Sequence, residues 1–321
     1  MSSRAPSSSD VIDVRPASCD ERLTGISLLL GSFHPEERKI RLIDVMHSVE
    51  QGELSLDGLL IAFVEGRAVG AALAVVQPDR MAFAWPPGVL IPDDLATIAS
   101  VGAVADRLMS ELGAWIDRTP ARFAQILVEP DAPPDFVLLR NHGFVPIADL
   151  EMRQRWLNEP LAPWTAPAWT TITYDDSLAT RFADVIERTY AGSLDCPNFT
   201  GYRSGREALE SHRSAGVFAP SLWTLFEVDG RDAGVLLIAP QPDQKACELV
   251  YTGIVPEFRG RGLGKNLVEY ALRLVQNRGD ARMCLCVDSS NHYACAIYDA
   301  VGLVVEGTRS VWLRWSKPSA A

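Results

Sequence analysis

The residues of this chain best placed to do chemistry stand in one stretch, Val255-Pro256-Glu257-Phe258-Arg259-Gly260-Arg261-Gly262-Leu263-Gly264. Arginine and glycine interleaved at this density form a turn that can hold an anion. Backbone N–H groups point out of such a turn, and a helix beginning in it adds the positive end of its dipole. Gly262 and Gly264 would let the backbone approach a phosphate closely, while Arg259 and Arg261 supply positive charge. The flanking elements position the turn. The apolar run Glu248-Leu-Val-Tyr-Thr-Gly-Ile254 leads into it as a strand, and Leu267-Val-Glu-Tyr-Ala-Leu-Arg-Leu-Val275 leaves it with helical periodicity. Strand, glycine-rich turn and helix start in that order predict a diphosphate cradle.

Spacing narrows the ligand. A nucleotide P-loop needs G-x-x-x-x-G-K-[ST], yet Gly264-Lys265 is followed by Asn266 and no glycine stands at the required distance before it. A dinucleotide fingerprint needs G-x-G-x-x-G, whereas Gly260-x-Gly262 places Lys265 where the third glycine should be. What remains is R-x-x-G-x-G after a Val-Pro strand end, which resembles the pyrophosphate loop of the GCN5-related N-acetyltransferases. The resemblance implies acetyl-CoA as co-substrate, held by Arg259, Gly260, Arg261, Gly262, Leu263, Gly264 and Lys265.

Downstream, Ala281-Arg-Met-Cys-Leu-Cys-Val-Asp288 reads as a buried strand. Ser289-Ser290-Asn291 and the helical pattern from His292 to Val301 follow, stopped by Gly302. This is similar to the second signature of the same family, strand, D-x-x-N, helix, Y-x-x-x-G-F, with Leu303 in place of the phenylalanine. The resemblance gives Asn291 a contact to the CoA arm and makes Tyr298 the group that protonates the departing thiolate. It also assigns Glu248, eleven residues before Arg259 (259 − 248), as the base that takes a proton from the attacking amine. A charge in Cys247-Glu-Leu-Val-Tyr-Thr-Gly-Ile254 needs a reason of its own, because strands of this kind are mostly apolar. The implied chemistry is direct transfer, with the oxyanion met by strand N–H groups near Thr252, Gly253 and Ile254.

The bounds on the whole chain agree. Its 321 residues suit two domains of roughly 150 residues each, and 47% hydrophobic with 22% charged residues is a globular composition. No apolar run approaches the ~18 residues of a membrane span, and residues 1–10, with no apolar segment, are expected as a disordered tail. Six scattered cysteines and five scattered histidines form no disulfide or metal pattern, so a reduced, metal-free, cytoplasmic protein is expected. A net charge of −11 disfavours nucleic acid and tolerates a cationic acceptor.

The chain also repeats itself. Residues 64–79 match residues 228–243 at eight of sixteen positions with an offset of 164, and Ile91-Pro92 matches Val255-Pro256 at the same offset. Further on the offset is 159, pairing Gly143 with Gly302 and Arg155-Trp156 with Arg314-Trp315. The chemistry is not repeated. Ala84 stands opposite Glu248, Leu139 opposite Tyr298, and Leu95-Ala-Thr-Ile-Ala-Ser100 opposite the loop. We therefore expect two α/β domains, each a mixed, mostly antiparallel sheet flanked by helices. Residues 11–157 form a degenerate copy without the cofactor loop, 158–168 a proline-rich linker and 169–316 the catalytic copy. The tandem arrangement is similar to that of the mycothiol synthases.

In this family the segment between the first two helices shapes the acceptor pocket. Here Gly192 to Arg206 is rich in Gly, Pro and polar residues, so Asp195, Asn198, Tyr202 and Arg203 are the acceptor candidates, with Asp195 first as a cation-binding group. The expected function is acetyl transfer to an amine of a small molecule or peptide, with no nucleic-acid or membrane partner. A catalytically silent acyl-CoA sensor would need only the loop, and tandem peptidyl-transfer enzymes of cell-wall synthesis would not need it. Glu248 and Tyr298 speak against the first alternative, and the loop itself against the second.

Overall fold

Two hairpins with the same turn chemistry organise the two halves of the chain. In the computed structural model, which describes residues 11–77, 80–129, 136–197, 204–213 and 216–317, β2 (Leu59–Val64) turns into β3 (Arg67–Val76) and β8 (Trp223–Val228) into β9 (Arg231–Gln241). The central residues are left-handed in both turns, with φ of 48° and 76° at Glu65-Gly66 and 52° and 70° at Asp229-Gly230. Two successive left-handed residues make the type I′ turn that matches the twist of a hairpin. Both hairpins also break register at equivalent places, Ala62/Phe63 and Phe226/Glu227. The tail at residues 1–10 and the candidates Asn198, Tyr202 and Arg203 lie outside the described residues.

The chain folds as two compact units, Met1–Pro146 with Trp312–Ala321, and Ile147–Val311. In the first, β1 (Ile12–Pro16), β2, β3, β4 (Met81–Val89) and β5 (Phe123–Val128) lie in that order, antiparallel except for the parallel pair β4–β5. Helix α1 (Arg22–Leu29) presents Ile26 to Leu59 and Ile61, and α2 (Pro35–Glu50) follows it. Helix α3 (Val101–Asp117) buries Val104, Ala105, Leu108, Met109, Leu112 and Ile116, the spacing of a helix with one core-facing stripe. A short α4 (Phe136–Asn141) ends at Gly143, which takes φ 82°.

In the second unit β6 (Val145–Trp156), β11 (Arg282–Asp288), β10 (Ala246–Ile254), β9, β8 and β7 (Thr170–Thr173) are neighbours in that order, and only β10–β11 is parallel. Helices α5 (Ala179–Tyr190) and α6 (Gly205–Arg213) precede β8. Then α7 (Leu263–Arg278) follows β10, and α8 (His292–Ala300) separates β11 from β12 (Val304–Trp315). Helix α7 buries Leu263, Leu267, Val268, Ala271, Leu272 and Val275, and α5 buries Phe182, Ala183, Val185, Ile186 and Thr189. Each unit is thus the expected mixed, mostly antiparallel sheet with helices packed on it.

The strand ends are distributed in a way the sequence repeat does not show. Strand β6, which the repeat assigns to the first copy, pairs with β11 from Leu150 to Trp156. A Cβ on Gly302 would meet the Arg155 guanidinium at 3.6 Å, and Arg155 donates to the Val301 carbonyl. Its repeat partner, Arg314, belongs to the first unit, where it lies 3.8 Å from a Cβ built on Gly143 and grips Asp117 through two bonds of 2.9 and 2.6 Å. Each unit therefore contains a strand segment from the other copy's sequence. Among the described residues no helix is long and apolar enough to cross a membrane.

Candidate active site

The site begins where two strands part. Strands β10 and β11 pair in register only from Ala246–Arg282 to Glu248–Cys284, while β10 stays paired with β9 to its end, through a bulge between Leu249 and Tyr251. The extra residue bends β10 away from β11 and leaves its outward N–H groups, in the segment of Thr252, Gly253 and Ile254, without a strand to pair with. Glu248 is the last paired residue before the opening. Its Oε2 accepts a bond of 2.7 Å from Gln241 Nε2. Burial raises the Glu248 carboxyl above the usual glutamate range, and the Gln241 bond opposes that rise.

The predicted loop follows. Gly260 and Gly262 both take φ 75°, and a Cβ at either would meet nothing within 4 Å, so conformation demands glycine there and open space surrounds it. Gly262 is the left-handed N-cap of α7 and provides no side-chain cap, so the first-turn N–H groups of α7 are not covered from the cap position. Gly264 also carries a packing constraint. A Cβ there would press Ile297 Cδ1 at 3.1 Å, so this glycine serves the contact of α7 with α8. Arg259 spends its guanidinium on the carbonyls of Ile254 (3.0 Å), Ala191 (2.7 Å), Gly192 (3.3 Å) and Thr189 (2.8 Å), which ties the loop to the end of α5. Arg261 stacks over Phe258 at 4.9 Å and bonds the Glu257 carbonyl, Leu263 is buried, and Lys265 pairs with Glu269 at 3.9 Å on the surface. Gly253 lets α5 approach β10, since a Cβ there would lie 2.8 Å from Thr189, and Thr252 Oγ1 donates to the Val235 carbonyl at 3.3 Å.

The other side of the opening comes from β11 and α8. Tyr298 is buried in the core of the second unit, and its hydroxyl is held well above the usual tyrosine range by burial and then by the Asp195 charge. Asn291 caps α8, its Oδ1 accepting from the Ala294 N–H at 3.3 Å. Asp195, after α5, accepts the Asp288 N–H at 3.2 Å, and burial followed by the Asp288 charge raises its carboxyl. Asp288 in turn accepts N–H groups from Cys196 (3.1 Å) and Ser290 (2.9 Å). The structure thus brings Asp195 to Tyr298 and sets Glu248 at the mouth of the splay. Two residues were missed by sequence reasoning, Gln241 and Asp288. Gln241 lay in the repeated Gln-Pro-Asp, and Asp288 was the aspartate of D-x-x-N read only for its asparagine.

The first unit has the same frame with other contents. Strands β4 and β5 also pair over three residues, ending at Phe83–Gln125. Phe83 lies opposite Val75, as Glu248 lies opposite Ala239, and the hairpin match equates Val75 with Ala239. The counterpart of Glu248 is therefore Phe83, one residue before the Ala84 expected from the sequence offset, because the offset slips along this strand. Leu139 does take the place of Tyr298. Phe144 N–H bonds the Leu139 carbonyl at 3.0 Å, just as Leu303 N–H bonds that of Tyr298 at 2.9 Å. An open depression of about 430 Å³ in this unit is lined by Arg80, Asp117, Arg122 and Lys317 among others, none of them a predicted site residue. Among the described residues no three His, Cys, Asp or Glu side chains converge as metal ligands.

Comparison with known proteins fits this geometry. The acetyltransferase (GNAT) family model matches residues 188–303. The mycothiol acetyltransferase of Streptomyces coelicolor is 31% identical over 100 residues, covering 31% of this chain and 32% of that protein. That of Thermomonospora curvata is 30% identical over 155 residues, 48% of this chain and 50% of the relative. The chain thus spans about half or less of the length of these relatives. A GCN5-related N-acetyltransferase from Sphaerobacter thermophilus shares the fold, with a TM-score of 0.63 at 17% identity over 97% of this chain and 98% of that one.

Proposed function

Because the chain is a tandem protein of the GNAT superfamily, with its acetyltransferase-family domain at residues 188–303, we propose that it transfers the acetyl group of acetyl-CoA directly to an amine of a small molecule. In this reading the second unit carries the reaction and the first is structural. The observation that carries it is the splay of β10 from β11, with Glu248 at its mouth and the uncapped start of α7 beyond it. That two relatives are mycothiol acetyltransferases favours a small acceptor over a peptide.

Each residue has a separate task. The first-turn N–H groups of α7, reached through Gly260 and Gly262, suit the diphosphate of CoA, and Arg259 holds the loop in that shape. The N–H groups of Thr252 to Ile254 that β11 leaves unpaired can meet the oxygen that gains charge when the thioester is attacked. Glu248, raised by burial, is suited to take a proton from the amine near neutral pH. Tyr298, raised by burial and by Asp195, keeps its proton until the thiolate leaves and then donates it. A nitrogen–carbon bond forms, the carbon–sulfur bond breaks, one proton goes to Glu248 and one comes from Tyr298. We place the reaction in the cytoplasm, where the six cysteines would stay reduced.

The test is calorimetric titration with acetyl-CoA, followed by release of free CoA thiol on adding primary amines. One site per chain and amine-dependent thiol release are expected. Absence of acetyl-CoA binding would overturn the reading.

A further inference from the structure

The proline-rich segment expected as a linker lies along α7. Gln276 Nε2 donates to the carbonyls of Leu157 (3.2 Å) and Glu159 (2.8 Å), and Arg273 donates to the carbonyl of Ala162 (2.5 Å). Trp164 Nε1–H then donates to Asn266 Oδ1 at 2.9 Å. The segment goes forward from 157 to 164 while its partners on the helix step back from 276 to 266, so it runs antiparallel to α7 as a strap. Those helix positions are three and seven residues apart (276 − 273 and 273 − 266), which places them on one face. Pro160 and Pro163 have no N–H to offer and a fixed φ, which suits a segment held by its carbonyls and one indole. Trp164 is half-buried, with Arg273 over its ring at 5.2 Å and the rings of Trp169 and Tyr270 at 6.2 and 6.4 Å.

The last contact of the strap reaches the cofactor loop. An indole N–H only donates, so the Asn266 amide turns its oxygen to Trp164 and its nitrogen away. That nitrogen, Nδ2, donates to the Gly262 carbonyl at 3.0 Å, which the Asn266 N–H also approaches at 3.5 Å. Two donors thus draw the Gly262 carbonyl down the axis of α7. In a trans peptide the next N–H points opposite to the carbonyl, so the Leu263 N–H is aimed out of the helix start, which no side chain caps. Glycine has more backbone freedom than any other residue, so the orientation of this peptide depends on what holds it. Arg259 holds the near end of the loop against α5, and Asn266 holds the far end.

We infer that Trp164 is a positioning residue for the acetyl donor: through Asn266 it fixes the Gly262–Leu263 peptide, and with it the N–H that meets the diphosphate of CoA. The inference rests on the acetyltransferase reading and adds the linker to its cofactor site. The packing of the Trp164 ring and its bond to Asn266 are separable, because phenylalanine keeps an aromatic ring beneath Arg273 and has no N–H to donate.

The experiment uses the full chain and calorimetric titration with CoA and with dephospho-CoA, which keeps the diphosphate and lacks the 3′-phosphate. Trp164→Phe should weaken both by about 3- to 10-fold and leave the ratio between them as in the wild type. Asn266→Ala should weaken both at least as much. The double variant should bind no more weakly than Asn266→Ala alone, because the indole acts through the amide. In turnover with any amine that is acetylated, Trp164→Phe should raise the KM for acetyl-CoA and spare kcat and the KM of the amine. Unchanged CoA affinity in Trp164→Phe, even with a lower melting temperature, would make the strap a structural clamp and overturn the inference. Losses that add in the double variant, or a loss seen with CoA and not with dephospho-CoA, would overturn it as well. If CoA fails to bind the wild type, the acetyltransferase reading falls instead, so the two failures are distinguishable.

Discussion

The starts of α3 and α7 separate the two units more clearly than anything in their sheets. Helix α3 begins at Ser100 in extended backbone, with φ −98° and ψ 154°, and the Ser100 hydroxyl accepts the Ala103 N–H at 3.2 Å. Helix α7 begins at Gly262 in left-handed backbone with no side chain to cap it. The first arrangement satisfies one of its own orphan donors and stabilises the helix; the second leaves that donor available. The same contrast recurs at the splay, where Phe83 stands for Glu248, and on the last helix, where Leu139 stands for Tyr298. In each pair the scaffold bonds persist and the polar or unsatisfied group is replaced by a self-sufficient one. The frame does not need those polar groups in order to fold, so one copy can lack them and remain a domain.

Breaking the contrast at the base should have the largest effect. Glu248→Phe, which installs the first unit's residue, and the milder Glu248→Gln should lower kcat/KM at neutral pH by about 10²–10⁴, the range of a positioned general base, with acetyl-CoA affinity unchanged. Tyr298→Phe should cost about 10² in kcat and show little change in the melting temperature, since only a hydroxyl is removed. A smaller loss is expected at the helix start. Gly262→Ser would place a side chain at φ 75°, costing about 1–2 kcal/mol, and should weaken acetyl-CoA binding by roughly 10-fold in calorimetry. The mirror change, Ser100→Gly, should cost only a few tenths of a kcal/mol and create no second site. A stoichiometry of two for Ser100→Gly would show that the first unit lacks nothing but an open helix start.

The fold was legible because its signals are local. The match of residues 64–79 with 228–243 announced one pair of elements built twice, and the apolar periodicity from Leu267 to Val275 announced α7. The site was legible as motif and less so as geometry. Nothing in R-x-x-G-x-G says that Arg259 turns to the carbonyls of α5, because that depends on where α5 ends in space. Gly264 has a further constraint in Ile297, on a different helix and beyond the reach of any local pattern. Phe83 was displaced to Ala84 because the offset is 165 along β4 and 164 in the hairpin before it and at Ile91-Pro92 after it, a slip that no motif marks. The partner of β6 was likewise hidden, since a repeat shows which strands are equivalent and not which sheet each one joins. From that pairing, a chain starting at residue 169 would lack the edge that covers β11, and it should be less soluble than one starting at 147; equal yields and equal melting curves would argue against it.

The smallest expected effect sharpens the role of Gln241. Burial raises the Glu248 carboxyl and the 2.7 Å bond from Gln241 lowers it, so the two act in opposite directions on one group. Gln241→Leu removes only the opposing effect, and the acid limb of the kcat/KM profile should move to higher pH. The variant should fall a few-fold behind at neutral pH and draw level once the base is fully ionised. Stability carries the same sign. A carboxyl whose folded value lies above its unfolded one keeps its proton longer in the folded state, so its contribution is complete below the ordinary glutamate value and is lost as pH rises through the folded value. The melting temperature of Gln241→Leu should therefore decline with pH to a higher endpoint than that of the wild type. Glu248→Gln, with nothing to titrate at this position, should show neither the decline nor the acid limb. An acid limb that stays in place in both variants would assign the titrating base to another residue and dissolve the contrast between Glu248 and Phe83.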